Sequence, residues 1–488
     1  MRLYAILSSL FLFAVSGADW PQFRGPNGSG IAHSSRLPKQ IAPDQNVLWK
    51  IDTPAGHSSP IIVGDRIIVT GVEGGERKQV APGRVVDPGG KLVTLCIDRL
   101  TGKLIWRNEV PRGRVEVYQP TNSAASPSPV SDGQRVVTFF GDFGLVSYEV
   151  KSGKEEWRLP LGPFNNPNGH GSSPILADGL VVLLCDQDSD SYLIAVDQKT
   201  GKIRWKVPRP ESTRSYSTPA VYRPANGGPS ELIVPGAFNL TSYSTSTGEK
   251  LWWIRGMSWQ PKSSPIVDGE MIYAHWWEAG GENDSASVTM TFAEALEKYD
   301  SNKDGKIAKD ELDERMRRGW DDLDLDHDGF LDARDWEFYT ARRASRNALL
   351  AIRHGATGDL TDSKSIVWRM QKYLPNVPSP LLLDGVIYLI KDSGILSAVD
   401  AKTGAMIKQG RLAGALDTYY ASPVTDGTRL YFMSQSGKFS IVKAGAGSWE
   451  LESVSDFGED AFGTPAIAGD CLYLRTKTKL YAFKDPHQ

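Results

Sequence analysis

Eight Ser-Pro or Thr-Pro steps, ending at Pro60, Pro129, Pro174, Pro219, Pro265, Pro380, Pro423 and Pro465, each open a run of short, alternating apolar strands. The intervals between them are 69, 45, 45, 46, 115, 43 and 42 residues. The chain carries 48 glycines and 30 prolines, which suits many turns. A four-stranded unit of about 40–45 residues is the period of a propeller blade. The sequence therefore predicts an all-β fold, an eight-bladed β-propeller closed by an N-terminal strand, with one small α-helical insert.

The first half of each unit is the Ser/Thr-Pro step, a strand, a turn and a second strand, as in SSPILADGLVVLLC. The second half is a strand, a Thr-Gly turn and a strand ending in tryptophan, as in LIAVDQKTGKIRW. Glycine supplies the positive φ that such tight turns need. Trp106, Trp157, Trp205, Trp252 and Trp368 recur once per unit and are expected to pack between neighbouring blades. The first interval holds about 24 extra residues and the fifth about 70, both after the second strand of their blade. The last unit stops after its third strand, KLYAFK, while NVLWKID (Asn46–Asp52) precedes the first unit and carries Trp49. That early strand is expected to complete the eighth blade and leave no free edge.

The AxDxxTGxxxW pattern, seen from Ala195 to Trp205, resembles the pyrroloquinoline-quinone-type repeat of quinoprotein dehydrogenases and of the propeller protein in outer-membrane barrel assembly. The opening DWPQFRGPNGSG resembles the start of exported bacterial propellers of this kind. The resemblance spans nearly all of the mature chain and speaks to fold more than to activity. It implies a quinone held between a tryptophan and a disulfide of adjacent cysteines, with an acidic base and calcium close by. Here Cys96, Cys185 and Cys471 lie far apart, so pyrroloquinoline quinone lacks that support, and the thiols are expected to be buried and inert. No Ser-His-Asp signature, phosphate loop or HExxH motif appears, and no catalytic residue is assigned.

Residues 1–18, with an early Arg2, the apolar run AILSSLFLFAV and a small-residue end at Ser16-Gly17-Ala18, read as a secretory signal. A periplasmic or secreted monomer with no transmembrane segment in the mature chain is expected. The net charge of −3 argues against nucleic acid as a partner. The expected division is a signal peptide at 1–18, blades one to five at 19–285, the insert at 286–345, and the rest of the propeller at 346–488.

Inside the insert, DSNKDGKIAKDE offers Asp300, Asn302, Asp304, the Lys306 carbonyl and Glu311 at positions one, three, five, seven and twelve of a calcium loop, with Gly305 at six. DLDHDGFLDARD offers Asp324, Asp326, Asp328, the Phe330 carbonyl and Asp335 in a second loop, where a terminal Asp is one methylene short. A capping box at Thr291–Glu294 and one-faced apolar residues (Phe292, Leu296 and Tyr299; Leu312, Met316, Trp320 and Leu323) predict flanking helices. The segment resembles an EF-hand pair. The loop glycines are 24 residues apart, so one connecting helix is expected to hold the loops about 18 Å apart, without the usual pairing. Calcium is the cofactor this pattern implies.

Segments entering the innermost strands gather at one mouth of a propeller. They place His57, His170, Arg214, Lys262, Asp417, Tyr420 and Asp460 there as candidate ligand groups. The expected function is an exported calcium-binding propeller that binds or scaffolds a protein, glycan or small molecule through its axial mouth. The alternatives are a quinone-dependent, calcium-assisted dehydrogenase and an outer-membrane assembly propeller. The insert, leaving blade five after its second strand, is expected beside the mouth.

Overall fold

The computed structural model describes residues 19–34, 36–282, 290–445 and 448–486. The expected signal peptide and the expected start of the insert at 286 lie outside them. Eight sheets of four or five strands, antiparallel apart from one added strand, follow one another along the chain. In blade three, Ile175–Ala177, Leu180–Cys185, Tyr192–Asp197 and Ile203–Pro208 pair in chain order from inner to outer strand. Blade eight is composite: Val47–Asp52 is its outer strand, antiparallel to Lys479–Lys484, which closes the ring with the N-terminal strand. The extra residues of blade one form a hairpin, Lys78–Ala81 with Arg84–Val86.

The repeat motif is a docking device between blades. In the turn after Asp98, the carboxylate accepts from the Leu100 and Thr101 amides and the Thr101 hydroxyl at 3.1, 2.8 and 2.8 Å. Asp197 and Asp400 hold their turns through Thr200 and Thr403 in the same way. The following glycine has a positive φ and a bare face on which the preceding blade's tryptophan lies. A Cβ on Gly201 would meet the Trp157 ring at 2.6 Å, and one on Gly404 would meet Trp368 at 2.7 Å. Each indole Nε1 also donates to a carbonyl three residues before that glycine: Trp49 to Arg99, Trp106 to Val150, Trp157 to Gln198, Trp205 to Thr245 and Trp368 to Ala401, all at 2.9–3.0 Å. The tryptophans are inter-blade packing residues, as their spacing predicts.

Trp252 departs from the rule because the turn of blade five, HGATGDL, is degenerate. Its indole donates instead to the Glu231 carboxylate at 3.1 Å, and Gly358–Asp359 adds to blade four as a parallel fifth strand.

A second set of links surrounds the axis. The amide of each Ser or Thr before proline donates to the hydroxyl of its counterpart in the next blade: Ser59 to Ser128, Ser128 to Ser173, Ser173 to Thr218, Ser264 to Ser379, Ser379 to Ser422, Ser422 to Thr464, and Thr464 back to Ser59. All seven bonds are 2.9–3.0 Å. Proline has no amide of its own, so it fixes an extended backbone without competing for the hydroxyl. The junction from Thr218 to Ser264 lacks its link, and the Ser264 hydroxyl is buried without a partner.

The N-terminal segment ties the blades together. Trp20 pairs with Ile62 in blade one, the Pro21 carbonyl accepts from Ser131 in blade two, and Asn27 bonds Val221 in blade four. Arg24, fully buried, donates to the Pro380 carbonyl in blade six at 2.6 Å, and Ala32 reaches Thr425 in blade seven. The three cysteines are free and buried; burial pushes the Cys96 and Cys185 thiols up to about 12.

The docking geometry makes a graded prediction within one blade. Gly179 and Gly201 both have positive φ, but a Cβ on Gly179 meets nothing within 4 Å. Gly179→Ala should cost about 1 kcal/mol from backbone strain alone. Gly201→Ala should cost about 3 kcal/mol, because the Trp157 ring must also move. Urea unfolding of the two variants measures the difference.

Candidate functional site

The Ser/Thr-Pro steps bring Ser59, Ser128, Ser173, Thr218, Ser379, Ser422 and Thr464 to one end of the axis, where they line a cavity of about 530 Å³. Phe23, from the N-terminal segment, lines it as well. Among the residues expected at the mouth, His57, Arg214, Lys262 and Tyr420 line this cavity; His170, Asp417 and Asp460 do not. His170 is buried beside Phe164 with ring centroids 4.1 Å apart, and burial holds it neutral down to about 3. Asp417 pins its own loop by accepting from the Ser434 hydroxyl and the Ser436 amide at 2.6 and 2.8 Å. Asp460 is exposed.

One wall of the cavity is aromatic: His57 stacks on Phe462 at 4.1 Å, with Tyr420 5.4 Å from the same ring. Burial, with help from Arg77, Arg475 and Lys477, keeps His57 uncharged down to about 3. The opposite wall is cationic. Arg214, 1 % exposed in its side chain, holds Asp188 at 2.7 Å and Asp322 at 3.3 Å. Arg342 holds Glu278 at 2.7 Å and the other Asp322 oxygen at 3.3 Å. Both guanidiniums lie over Trp259, at 4.8 and 4.1 Å from its centroid. Lys262 differs from them: its ammonium donates to the Gln260 carbonyl at 2.9 Å and, among the described residues, forms no ion pair. Burial lowers its pKa to about 8, opposed by the more distant Glu278.

Asp322 and Arg342 come from the insert, which leaves blade five after Met271–Trp276 and returns at Ala348–Arg353. Its helices are α1 (Phe292–Tyr299), α2 (Glu314–Arg317) and α3 (Ala333–Ala344). The Thr291 capping box is formed on α1. Arg334 donates to the Asp188 carbonyl and Asn165 to the Leu325 carbonyl, both at 2.8 Å. The insert thus stands on the mouth face of the propeller.

The expected separation of the two loops is overturned. Ile307–Ala308 pairs antiparallel with Phe330–Leu331, so the loops lie side by side. The connecting segment is not one helix: α2 has four residues, and a separate 3-10 turn, Trp320–Asp322, follows Gly319. Leu312, Trp320 and Leu323 bury with Tyr299, Ile307, Leu331 and Trp336 in one core, and that burial draws the loops together.

The loops are internally equivalent. In the first, Glu311 accepts from the Ser301 and Ala308 amides at 2.9 and 2.8 Å, and Asp300 from the Gly305 amide at 2.9 Å. In the second, Asp335 accepts from Leu325 and Asp332 at 3.2 and 3.3 Å, and Asp324 from Gly329 at 3.1 Å. Asp335 therefore stands where Glu311 stands, one methylene short. Asn302 and Asp304 bond within loop one, the latter's amide donating to the former's Oδ1 at 2.8 Å. Lys306 and Phe330 occupy the matching seventh positions just before or within the paired strands.

One carboxylate oxygen each of Asp324, Asp326 and Asp328 lie within 4.8 Å of one another. Asp324 is 2 % exposed, and its Oδ1 is buried without a partner. A buried, unpartnered carboxylate oxygen is costly, and a hard divalent cation would satisfy it. Burial raises the Asp324 carboxyl and carries Asp335 up to about 6. These donors fit calcium or magnesium.

Sequence reading misses Trp259, Glu278, Asp322 and Arg342 at the mouth. Trp259 was within reach, since it shares the segment MSWQPKSSP with Lys262. Asp322 and Arg342 arrive only through the folding of the insert. The geometry predicts that, in protein with reductively ¹³C-methylated lysines, one resonance titrates near pH 8, far below the ordinary value of about 10.4. Lys262→Arg should remove that resonance.

A family model described as outer membrane protein assembly factor BamB matches residues 89–274 and 311–487. The chain is 28% identical over 199 residues to the outer membrane protein assembly factor BamB of Burkholderia pseudomallei, covering 34% of this chain and 49% of that protein. It is 31% identical over 98 residues to a lanthanide-dependent methanol dehydrogenase of Methylorubrum extorquens, covering 19% and 16%. The match thus spans about half of the first relative and a smaller part of the second. Among solved structures, BamB from Moraxella catarrhalis aligns with a TM-score of 0.50 at 12% identity, over 92% of this chain and 97% of that one. A quinohemoprotein alcohol dehydrogenase from Comamonas testosteroni aligns with a TM-score of 0.53 at 13% identity, over 96% and 80%. At these identities the structural likeness shows the quinoprotein-type propeller fold alone.

Proposed function

We propose that this chain, which belongs to the family described as outer membrane protein assembly factor BamB, is an exported, calcium-stabilised binding propeller whose axial mouth takes an anionic ligand. The observation that carries the reading is Lys262, an ammonium without an ion-pair partner among the described residues, in a hydroxyl-lined cavity beside Arg214 and Arg342. A partly buried ammonium without an ion-pair partner is unfavourable, and an anion would supply one. Aromatic faces on the far wall suit a ring-shaped body on that anion. The proposed setting is the periplasm or the outside of the cell.

The quinone-dependent alternative is poorly matched by the donors present. No cysteine lines the cavity, and the two carboxylates that line it among the described residues, Glu278 and Asp322, are both engaged by Arg342. The resemblance implied a disulfide against the quinone and a carboxylate free to act as base, and these residues supply neither. The assembly-factor alternative is favoured by the family match and would make the mouth face a protein-docking surface. Cross-linking through the blade-one hairpin should then capture outer-membrane assembly components.

Calcium is the proposed ligand of both loops. EDTA should expose 290–345 to protease, and calcium should restore resistance; unchanged cleavage would contradict metal stabilisation. In the metal-free protein, the folded pKa of Asp335, about 6, lies above its unfolded value of about 3.9. The folded state then holds the extra proton, so this group's contribution to stability is present at low pH and lost as pH rises through about 4 to 6. Metal requires the ionised form, so affinity should run the opposite way. With loop one disabled by Glu311→Gln, calorimetry should find calcium binding to loop two about tenfold weaker at pH 5 than at pH 7.

The ligand claim is tested by native mass spectrometry of the protein purified from its own host. A copurifying anion should be seen, and Lys262→Gln should lose it. A ligand-free wild type that binds no added organic anion would overturn the reading.

A further inference from the structure

Loop two is tied to the mouth from both ends. Two residues before its first ligand, Asp322 sets one oxygen 3.3 Å from Arg214 and the other 3.3 Å from Arg342. Beyond the loop, α3 carries both Asp335, in the twelfth position, and Arg342. The loop's own second residue, Leu325, is held by Asn165 of the propeller. The metal-binding segment and the anion-binding wall therefore share their backbone.

The members of this wall differ in freedom. Arg214 and Asp188 form a pair with side chains 1 % and 0 % exposed, fixed in the propeller. Asp322 is 40 % exposed in its side chain and can swing into water at little cost. An anion entering the mouth would compete with Asp322 for the same two guanidiniums, since two negative groups crowded onto one site repel. A cation in loop two would have the opposite preference, because ligation of Asp324 would fix the turn that leads into it, and with it Asp322.

We propose that loop two is a negative effector site for the mouth: a divalent cation bound there holds Asp322 between Arg214 and Arg342, and an anion in the mouth displaces Asp322 and weakens the metal. The proposal rests on the metal reading of loop two and adds the coupling. By linkage, the factor by which metal weakens the anion equals the factor by which the anion weakens the metal. In a calcium-rich medium the two guanidiniums are neutralised by the chain's own carboxylate; where calcium is scarce that wall of the mouth is more cationic.

The probe is trinitrobenzenesulfonate, an aromatic anion that must enter the mouth to react with Lys262. Its rate at that residue is read by peptide mass spectrometry at pH 8, in calcium and in EDTA. The rate should be at least about fivefold higher in EDTA. The calcium response should survive Glu311→Gln in loop one and vanish in Asp326→Asn in loop two. Asp322→Asn should give the fast rate under both conditions while still binding calcium by calorimetry, which a merely structural role for Asp322 would not produce. Equal rates in the wild type, or a slower rate in EDTA, with calorimetry registering metal at loop two, would overturn the coupling alone. Absence of metal at loop two by calorimetry would overturn the metal reading, and the coupling with it.

Discussion

The amide-to-hydroxyl link from one blade to the next is the constraint on which the rest of the molecule depends. Six of the eight Ser or Thr before proline both donate and accept, while Thr218 only accepts and Ser264 only donates, so all but one junction is held at about hydrogen-bond length. Seven such bonds are made, each contributing on the order of 1 kcal/mol net. Their value lies more in geometry than in energy. They set the width of the axis, and all the residues that make them except Ser264 line the cavity above it. Trp49, Trp106, Trp157, Trp205 and Trp368 repeat the same logic at the rim, each lying on the next blade's glycine. Inner ring and outer ring together leave the loops on the mouth face free to carry function.

The one break in the inner ring falls between blades four and five, beside the blade that bears the insert. There the ordinary links are exchanged for others. Gly358–Asp359 extends blade four, Glu231 takes over the Trp252 indole and His354, and Arg214 reaches the insert through Asp322. The insert is thus built into the junction where the repeat is weakest, and it occupies the wall of the mouth that carries most of the charge.

Much of the fold was legible because repetition multiplies a weak local signal. Eight proline steps, the Thr-Gly turns and Trp49 ahead of the first unit were enough to count blades and close the ring. The N-terminal staple was not legible: Arg24 and Asn27 contact blades far along the chain, and no periodicity announces such contacts. The calcium-type loops were legible as loops because ligand spacing is local. Their pairing was not legible, since the dozen residues between them carry the one-faced apolar spacing of a single helix, whereas burial of Trp320 and Leu323 bends that segment back. At the mouth, His57, Arg214, Lys262 and Tyr420 followed from their places just before innermost strands. His170 and Asp417 share such places but turn into the protein, because a neighbouring phenylalanine and two serines offer them better partners than the cavity does. Asp322 and Arg342 could not be found without the tertiary fold of the insert.

Hydrogen–deuterium exchange of the full chain, with calcium and with EDTA, tests whether insert and mouth form one functional unit. Calcium should slow exchange in 290–345 and also at the mouth segments 209–216 and 256–262, with the distant blades unchanged. Protection confined to 290–345 would contradict such a unit.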